Sequence, residues 1–195
     1  MTSLLRTGTF VLIAAVASLA DAAPVIWTGP TIDFVKAPHV GVALPEDRDV
    51  VTPGVILTRD ETQGFYNAAS ELSYQSTSPA GTLWALGTTS QDIATLSFGT
   101  FTSLINPGGP ISGIGSFDFS TGSLDFVVHL TNEDVYLDLR LTGWGQGRDA
   151  GGGFAYTRST AAVPEPSTLA MLVGAMGVCV SARRIGTRPA TDKVT

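Results

Sequence analysis

The sequence predicts an all-β protein: a single β-sandwich or jelly-roll-like domain, with an N-terminal signal peptide and a short C-terminal apolar helix. Residues 122–130 and 134–144 alternate between apolar and polar side chains with a period of two, which is typical of half-buried antiparallel strands. Clusters of Gly, Pro, Asn and Ser divide the rest of the middle region into short strand-like runs. Eight or nine short strands in about 140 residues favour a sandwich or a jelly roll.

The first 22 residues have the order of features found in secretory signal peptides. Arg6 supplies a positive charge, residues 10–17 form an unbroken apolar stretch, and Ala20 and Ala22 are the small residues before a cleavage site. We therefore predict cleavage between Ala22 and Ala23. The apolar stretch is too short for a membrane anchor, which needs about 20 residues.

Residues 23–160 form the predicted exported β domain. They contain 14 acidic and 6 basic residues, a net charge of −8. Without a basic patch, nucleic acid is excluded as an expected partner. The single cysteine, Cys179, lies outside this domain, so we expect no disulfide and a fold stabilised by packing.

The two best alternating segments show which face each strand buries. Four apolar residues of 122–130 and four of 134–144 fall on one side, and we expect that side to face the core. Asn132-Glu133 is the predicted turn between these strands. We also expect a hairpin that pairs residues 116–119 with 124–128. The remaining predicted strands are residues 25–28, 31–35, 54–58, 82–86, 95–102 and 153–158.

Residues 61–72 are the one internal segment with helical character. Phe65, Ala68, Ala69 and Leu72 recur at the helical spacing i, i+3, i+4, i+7. Gly64 weakens a helix at this point, so we expect one or two turns at most.

The residue types needed for catalysis are sparse. His39 and His129 are the two histidines; His129 lies on the polar face of a predicted strand, so we expect it to be exposed. We expect no cofactor and no metal site, because zinc takes three or four His, Cys, Asp or Glu ligands. The chain is therefore predicted not to be an enzyme. Two alternatives stay open: a hydrolase that uses a carboxylate pair, and calcium bound by the acidic clusters at residues 46–49 and 59–61.

Aromatic residues offer a second interpretation of the domain. Trp84 and Trp144 are the candidate sugar contacts, because an aromatic face can pack on the apolar C–H groups of a sugar. The same side chains would equally suit core packing. The sequence leaves both interpretations open.

The C-terminal region combines a proline-rich motif, an apolar stretch and two arginines. Pro164 and Pro166 disfavour a helix and predict an extended, exposed segment. Residues 169–182 follow as a short apolar helix, a marginal membrane span because a full span needs about 20 residues. Arg183 and Arg184 then stand where cytoplasmic charges belong under the positive-inside rule.

These residues resemble the PEP-CTERM sorting signal. The resemblance covers residues 161–184 and includes the motif Val163, Pro164, Glu165, Pro166, Ser167 and Thr168, the apolar helix and the arginine pair. It implies that exosortase, a membrane protease or transpeptidase of Gram-negative bacteria, recognises the motif. It also implies transient residence in the inner membrane after secretion, followed by delivery to the cell surface or the extracellular matrix, commonly in species that make exopolysaccharide.

The leading expectation is thus an exported, non-catalytic surface or matrix protein. Its expected partners are the secretion machinery, exosortase, the membrane and, in the alternative of a carbohydrate-binding module, exopolysaccharide. The tail at residues 185–195 keeps a further alternative open, a surface protein that stays anchored in the membrane without cleavage.

Overall fold

A computed structural model of the chain describes residues 24–163. This part is all-β, with nine strands, one five-residue α-helix and four short 3-10 turns among the described residues. The strands are β1 (Val25–Ile26), β2 (Ile32–Lys36), β3 (Asp49–Thr52), β4 (Val55–Thr58), β5 (Tyr66–Asn67), β6 (Thr82–Leu86), β7 (Leu124–Leu130), β8 (Val135–Trp144) and β9 (Phe154–Arg158). The helix, α1, spans Phe101–Ile105.

The strands form one large sheet and one small sheet. The large sheet has the order β2-β9-β8-β7-β6, and its neighbouring strands are antiparallel. β1 adds a parallel pairing at the beginning of β8. The small sheet is antiparallel, with the order β3-β4-β5. β8 therefore lies at the centre of the large sheet, with β7 beside it.

One apolar core receives side chains from both sheets and from α1. As predicted, the apolar face of β7 and β8 lies in this core and contributes seven of its 18 buried members, because a period of two sends alternate residues to the same side. The buried members are Val51, Val55, Leu57, Phe65, Trp84, Phe101, Leu104, Ile105, Ile114, Phe126, Val128, Leu130, Val135, Leu137, Leu139, Leu141, Phe154 and Tyr156.

Three sequence predictions of secondary structure are wrong. Residues 95–102 are not a strand: Thr100 caps α1 by accepting a hydrogen bond from the Ser103 backbone N–H at 3.1 Å. Residues 116–119 do not pair with β7, because the Asp118 carboxylate accepts bonds from the Ser120 backbone and hydroxyl and so forms a local turn. β7 lies instead between β6 and β8.

The helix predicted at residues 61–72 is also absent. Tyr66–Asn67 form β5, and Leu72, which the helical spacing grouped with Phe65, is 99% exposed while Phe65 is 1% exposed. The Asn67 side chain accepts backbone hydrogen bonds from Ile56 and Ala69, and such bonding competes with a helix. Sequence analysis also missed β3 and β5.

Candidate functional site

A cleft opens where loops from both sheets and from α1 meet. It has a volume of about 730 Å³. Its walls come from the segment after β4, from the loop after α1 and from the chain that follows β8. The lining residues are Arg59, Thr62, Gln63, Gly64, Tyr74, Ile105, Asn106, Pro107, Ser112, Gly113, Ile114, Gly115, Ser116, Trp144, Gln146 and Gly147.

Arg59 is the cation in this lining, and it is almost fully buried. It follows β4 directly, and 1% of its surface is exposed. Its guanidinium carbon lies 3.6 Å from the centre of the Trp144 ring, which is a cation–π contact. Nη1 donates a hydrogen bond to the Gly145 carbonyl at 3.1 Å. Nε is buried and has no hydrogen-bond partner among residues 24–163.

The charge of Arg59 is poorly compensated by the described part of the chain. None of the ion pairs found among residues 24–163 includes Arg59. Burial lowers the pKa of Arg59 from 12.5 to about 10, so the guanidinium stays charged at neutral pH. A buried charge is costly without a partner, which makes this arginine unusual within the fold.

The other polar groups of the cleft are neutral. Its lining contains amides, hydroxyls and glycine backbone, and no Asp or Glu, although the predicted domain carries a net charge of −8. Amides and hydroxyls both donate and accept hydrogen bonds. The cleft therefore combines one cation with groups suited to a polar, hydroxyl-rich ligand.

Two backbone conformations at the rim are rare ones. Gln63 and Ser112 have φ of 75° and 55° although they are not glycine. Left-handed non-glycine residues are uncommon, and they cluster at binding sites. The rim is thus held in a specific shape by the surrounding fold.

The structure separates the two predicted sugar contacts. Trp144 lines the cleft, packed against Phe65 with ring centroids 5.1 Å apart, and Arg59 covers its ring. Trp84 is 0% exposed and donates from Nε1 to Thr82 Oγ1 at 2.9 Å. The prediction for Trp84 is therefore corrected: it is a core residue and, unlike Trp144, it does not line the cleft.

His129 also differs from its prediction. Its side chain is 17% exposed, Nε2 lies 2.9 Å from Asp134 Oδ1, and the ring stacks on Tyr136 at 4.1 Å. His129 is thus a packed residue on the outer side of the large sheet, away from the cleft lining. Among residues 24–163, no group of three or more His, Cys, Asp or Glu side chains is arranged to hold a metal ion.

The predicted sorting residues lie almost entirely outside the described residues. Val163 is described, and it is 74% exposed. Ala20, Ala22 and Ala23, then Pro164, Glu165, Pro166, Ser167 and Thr168, and finally Arg183 and Arg184 fall outside residues 24–163. Within those residues, the helices found are too short or too polar to cross a membrane.

Sequence reasoning missed Arg59 as a site residue. In the sequence, Arg59-Asp60-Glu61 was considered as part of a candidate calcium cluster, but the Arg59 guanidinium is buried against Trp144. A weak signal was present, because basic residues are few in this acidic domain and Arg59 directly follows a predicted strand.

Comparison of the chain with protein-family models, with curated proteins and with solved structures finds no match.

Proposed function

We propose that this chain is an exported cell-surface or extracellular-matrix protein of a Gram-negative bacterium, sorted by an exosortase. The observation that carries the proposal is the ordered set of signals in one sequence. A signal peptide occupies the first 22 residues, and a Pro-Glu-Pro motif, an apolar stretch and an arginine pair occupy residues 164–184. The non-catalytic role and the membrane passage are parts of the same proposal.

The end of the folded domain supports this proposal. Thr160 is tied to the domain, because its hydroxyl donates to the Pro30 carbonyl at 2.7 Å and its own carbonyl accepts from the Gly29 N–H at 2.8 Å. Residues 161–163 are exposed and belong to no helix or strand. A protease that recognises Pro164-Glu165-Pro166 would thus meet its substrate directly beside the exposed end of the domain.

For the fold, we propose the finer description of a β-sandwich. The apolar core that β3 and β4 share with the large sheet supports it, since two sheets packed on one core define that architecture. A rigid, non-catalytic sandwich is a common form of extracellular module.

The sorting proposal is tested by replacing Pro164, Glu165 and Pro166 together with alanine in the full chain. We expect loss of C-terminal processing and of surface display, followed by accumulation in the inner membrane. The matched control changes three other residues to alanine: Thr191, Asp192 and Lys193, which lie after the arginine pair near the end of the sequence. If processing and display are unaltered in the first variant, the sorting proposal is wrong.

The cleft favours a second function, a carbohydrate-binding module acting on exopolysaccharide. The specific observation is a cleft of about 730 Å³ with neutral hydrogen-bonding groups beside Trp144, within the size range of small-molecule sites. Titration of the full chain with soluble polysaccharide, followed by tryptophan fluorescence, tests it. We expect saturable quenching in the wild type and a reduced response in Trp144→Phe, with Trp27→Phe as the control.

A further inference from the structure

Three cations of this domain are buried, and the fold treats them differently. Arg158 forms a two-pronged pair with Asp49, with Nε to Oδ2 at 2.6 Å and Nη2 to Oδ1 at 2.8 Å. Lys36 donates to the Val40 carbonyl at 2.8 Å, and Asp47 is among the carboxylates that offset the lowering of its pKa by burial. For Arg59, burial alone lowers the pKa.

This contrast indicates a different role for Arg59. Arg158 shows that a buried arginine with a structural role in this fold is paired with a carboxylate. The guanidinium of Arg59 has one hydrogen bond to protein among residues 24–163, although it carries five N–H donors. Stacking on Trp144 fixes the plane of the guanidinium, and its buried Nε has no hydrogen-bond partner among residues 24–163. Such an orientation before binding reduces the entropy lost when a ligand binds.

We propose that Arg59 is the anion-binding residue of the cleft and that its ligand is a carboxylate-bearing sugar of an acidic polysaccharide. This inference rests on the proposed carbohydrate-binding function and names its ligand class. The planar fork of a guanidinium matches the two oxygens of a carboxylate. The amides and hydroxyls around Arg59 match the hydroxyls of a sugar ring.

The electrostatics of the domain make the site selective. The net charge of −8 repels a polyanion elsewhere on the surface, whereas the cleft lining has one cation and no carboxylate. At physiological ionic strength, charges more than about 8 Å apart in solvent are largely screened. Attraction is therefore confined to sugars that enter the cleft.

The experiment compares two sugars that differ only at the carboxylate. Full-length chain in detergent is titrated by calorimetry with tri-galacturonate and with its methyl ester at 0.15 M salt. We expect the ester to bind at least about tenfold more weakly, because a hydrogen bond to a charged group is lost. Arg59→Met should weaken binding of the acid by a similar factor.

The matched control is Arg140→Met, which removes the same charge from the outer side of the large sheet, where Arg140 pairs with the exposed Asp125. We expect it to bind tri-galacturonate as the wild type does. Should Arg59→Met fail to fold, Asn106→Trp replaces it. Asn106 is exposed on the rim with an extended backbone, so a bulky side chain there should obstruct the cleft and lower the affinity.

Each other outcome overturns a defined part of the proposal. If the acid and the ester bind with equal affinity, and Arg59→Met binds them as tightly as the wild type does, Arg59 is not an anion-binding residue. The carbohydrate-binding function is then still supported. Equal losses in Arg59→Met and Arg140→Met mean non-specific charge attraction and also overturn the assignment. Arg59-dependent binding of inorganic phosphate without either sugar refutes the sugar class. Binding of no sugar, neutral or acidic, refutes the carbohydrate-binding function itself and this inference with it.

Discussion

The Asp49 carboxylate joins the two sheets through a buried set of polar contacts. Oδ2 accepts from the Tyr156 hydroxyl and from Arg158 Nε, both at 2.6 Å. Asp49 belongs to the small sheet, while Tyr156 and Arg158 belong to β9 of the large sheet. One residue of the acidic cluster at 46–49, a candidate for calcium binding in the sequence, thus supplies a buried link between the sheets.

The two buried arginines should respond differently to replacement by methionine. Arg158→Met should lower the free energy of unfolding by about 3–5 kcal/mol, because it leaves Asp49 buried without its partner. Arg59→Met should lower it by no more than about 1 kcal/mol, since relief of an uncompensated buried charge offsets the lost stacking. Urea unfolding of both variants checks this, and a loss of several kcal/mol in Arg59→Met would show that its charge is compensated.

Tyr156 makes the stability of the domain sensitive to alkaline pH. Burial, and then the neighbouring Asp49 charge, raise the pKa of Tyr156 well above 10. Between pH 10 and that higher value, the unfolded chain loses a proton that the folded protein keeps. Its contribution to stability is therefore complete below pH 10 and declines as the pH rises further.

The Tyr156→Phe variant should consequently show a shallower fall in unfolding free energy above pH 10 than the wild type. At pH 7 it should be less stable by about 1.5–3 kcal/mol, the value of a hydrogen bond to a charged group such as the Asp49 carboxylate. Denaturant unfolding at several pH values measures both effects. Parallel stability curves above pH 10 would refute the assignment of this pH dependence to Tyr156.

At the scale of elements, Asn67 connects the small sheet to the loops around it. Its side-chain amide donates to the Gly54 and Ala80 carbonyls at 2.8 and 2.9 Å. Its Oδ1 accepts from the Ile56 and Ala69 N–H groups at 2.9 and 3.0 Å. One buried side chain thus makes four hydrogen bonds. These bonds stabilise an irregular backbone where the apolar spacing predicts a helix.

Asn67→Asp should therefore destabilise the protein by about 3 kcal/mol, because two buried carbonyls lose their donors and face a carboxylate. The matched control, Asn132→Asp, makes the same change at an exposed turn position and should stay within about 0.5 kcal/mol of the wild type. Thermal and urea unfolding compare the two. Equal effects would mean that added negative charge, and not the lost amide, is responsible.

An irregular segment, residues 87–99, covers part of the outer side of the large sheet. The Thr89 N–H and hydroxyl donate to the Asp138 carboxylate at 2.7 and 2.8 Å. Phe98 packs on Tyr136 with ring centroids 5.6 Å apart. Val127 is 0% exposed although the alternation places it on the polar side of β7. The outer side of the sheet is therefore more buried at this place than the alternation in the sequence predicts.

At the scale of the whole molecule, the chain enters and leaves the domain at neighbouring positions. β1 pairs with the beginning of β8, and three residues later Gly29 bonds to Thr160. In the proposed function, the segment after Thr160 connects the domain to the sorting signal. Removal of that signal should leave the core contacts of residues 24–160 untouched.

The intact mass of the protein recovered from cells and from medium checks the proposed route. We expect a species that begins at Ala23 and ends near Pro166, with the unfolding midpoint of the full chain. A species that begins at Ala23 but retains residues 167–195 would indicate an uncleaved membrane anchor. Protein that retains residues 1–22 would contradict export through the predicted signal peptide.

The sequence was most informative where local pattern and burial agree. The strands at residues 82–86, 122–130, 134–144 and 153–158 were predictable, as was the turn at Asn132-Glu133, because one side of each strand faces a common core. The failures, at residues 61–72, 95–102 and 116–119, share a cause. Asn67, Thr100 and Asp118 each form side-chain hydrogen bonds with nearby backbone, which apolar spacing does not reveal.

By itself, then, the sequence determined the all-β class, the central strands and the side of each that is buried. It also contains the N-terminal and C-terminal patterns from which export is proposed. The tertiary structure alone decided that Trp84 is buried, that Asp49 pairs with Arg158 across the sheets, and that Arg59 lies on Trp144 in a cleft without carboxylates. The physical reason is distance along the chain: Arg59 and Trp144 are 85 residues apart. The contact between them forms only when the loops of both sheets come together. The same folding leaves the guanidinium without a carboxylate partner among the described residues.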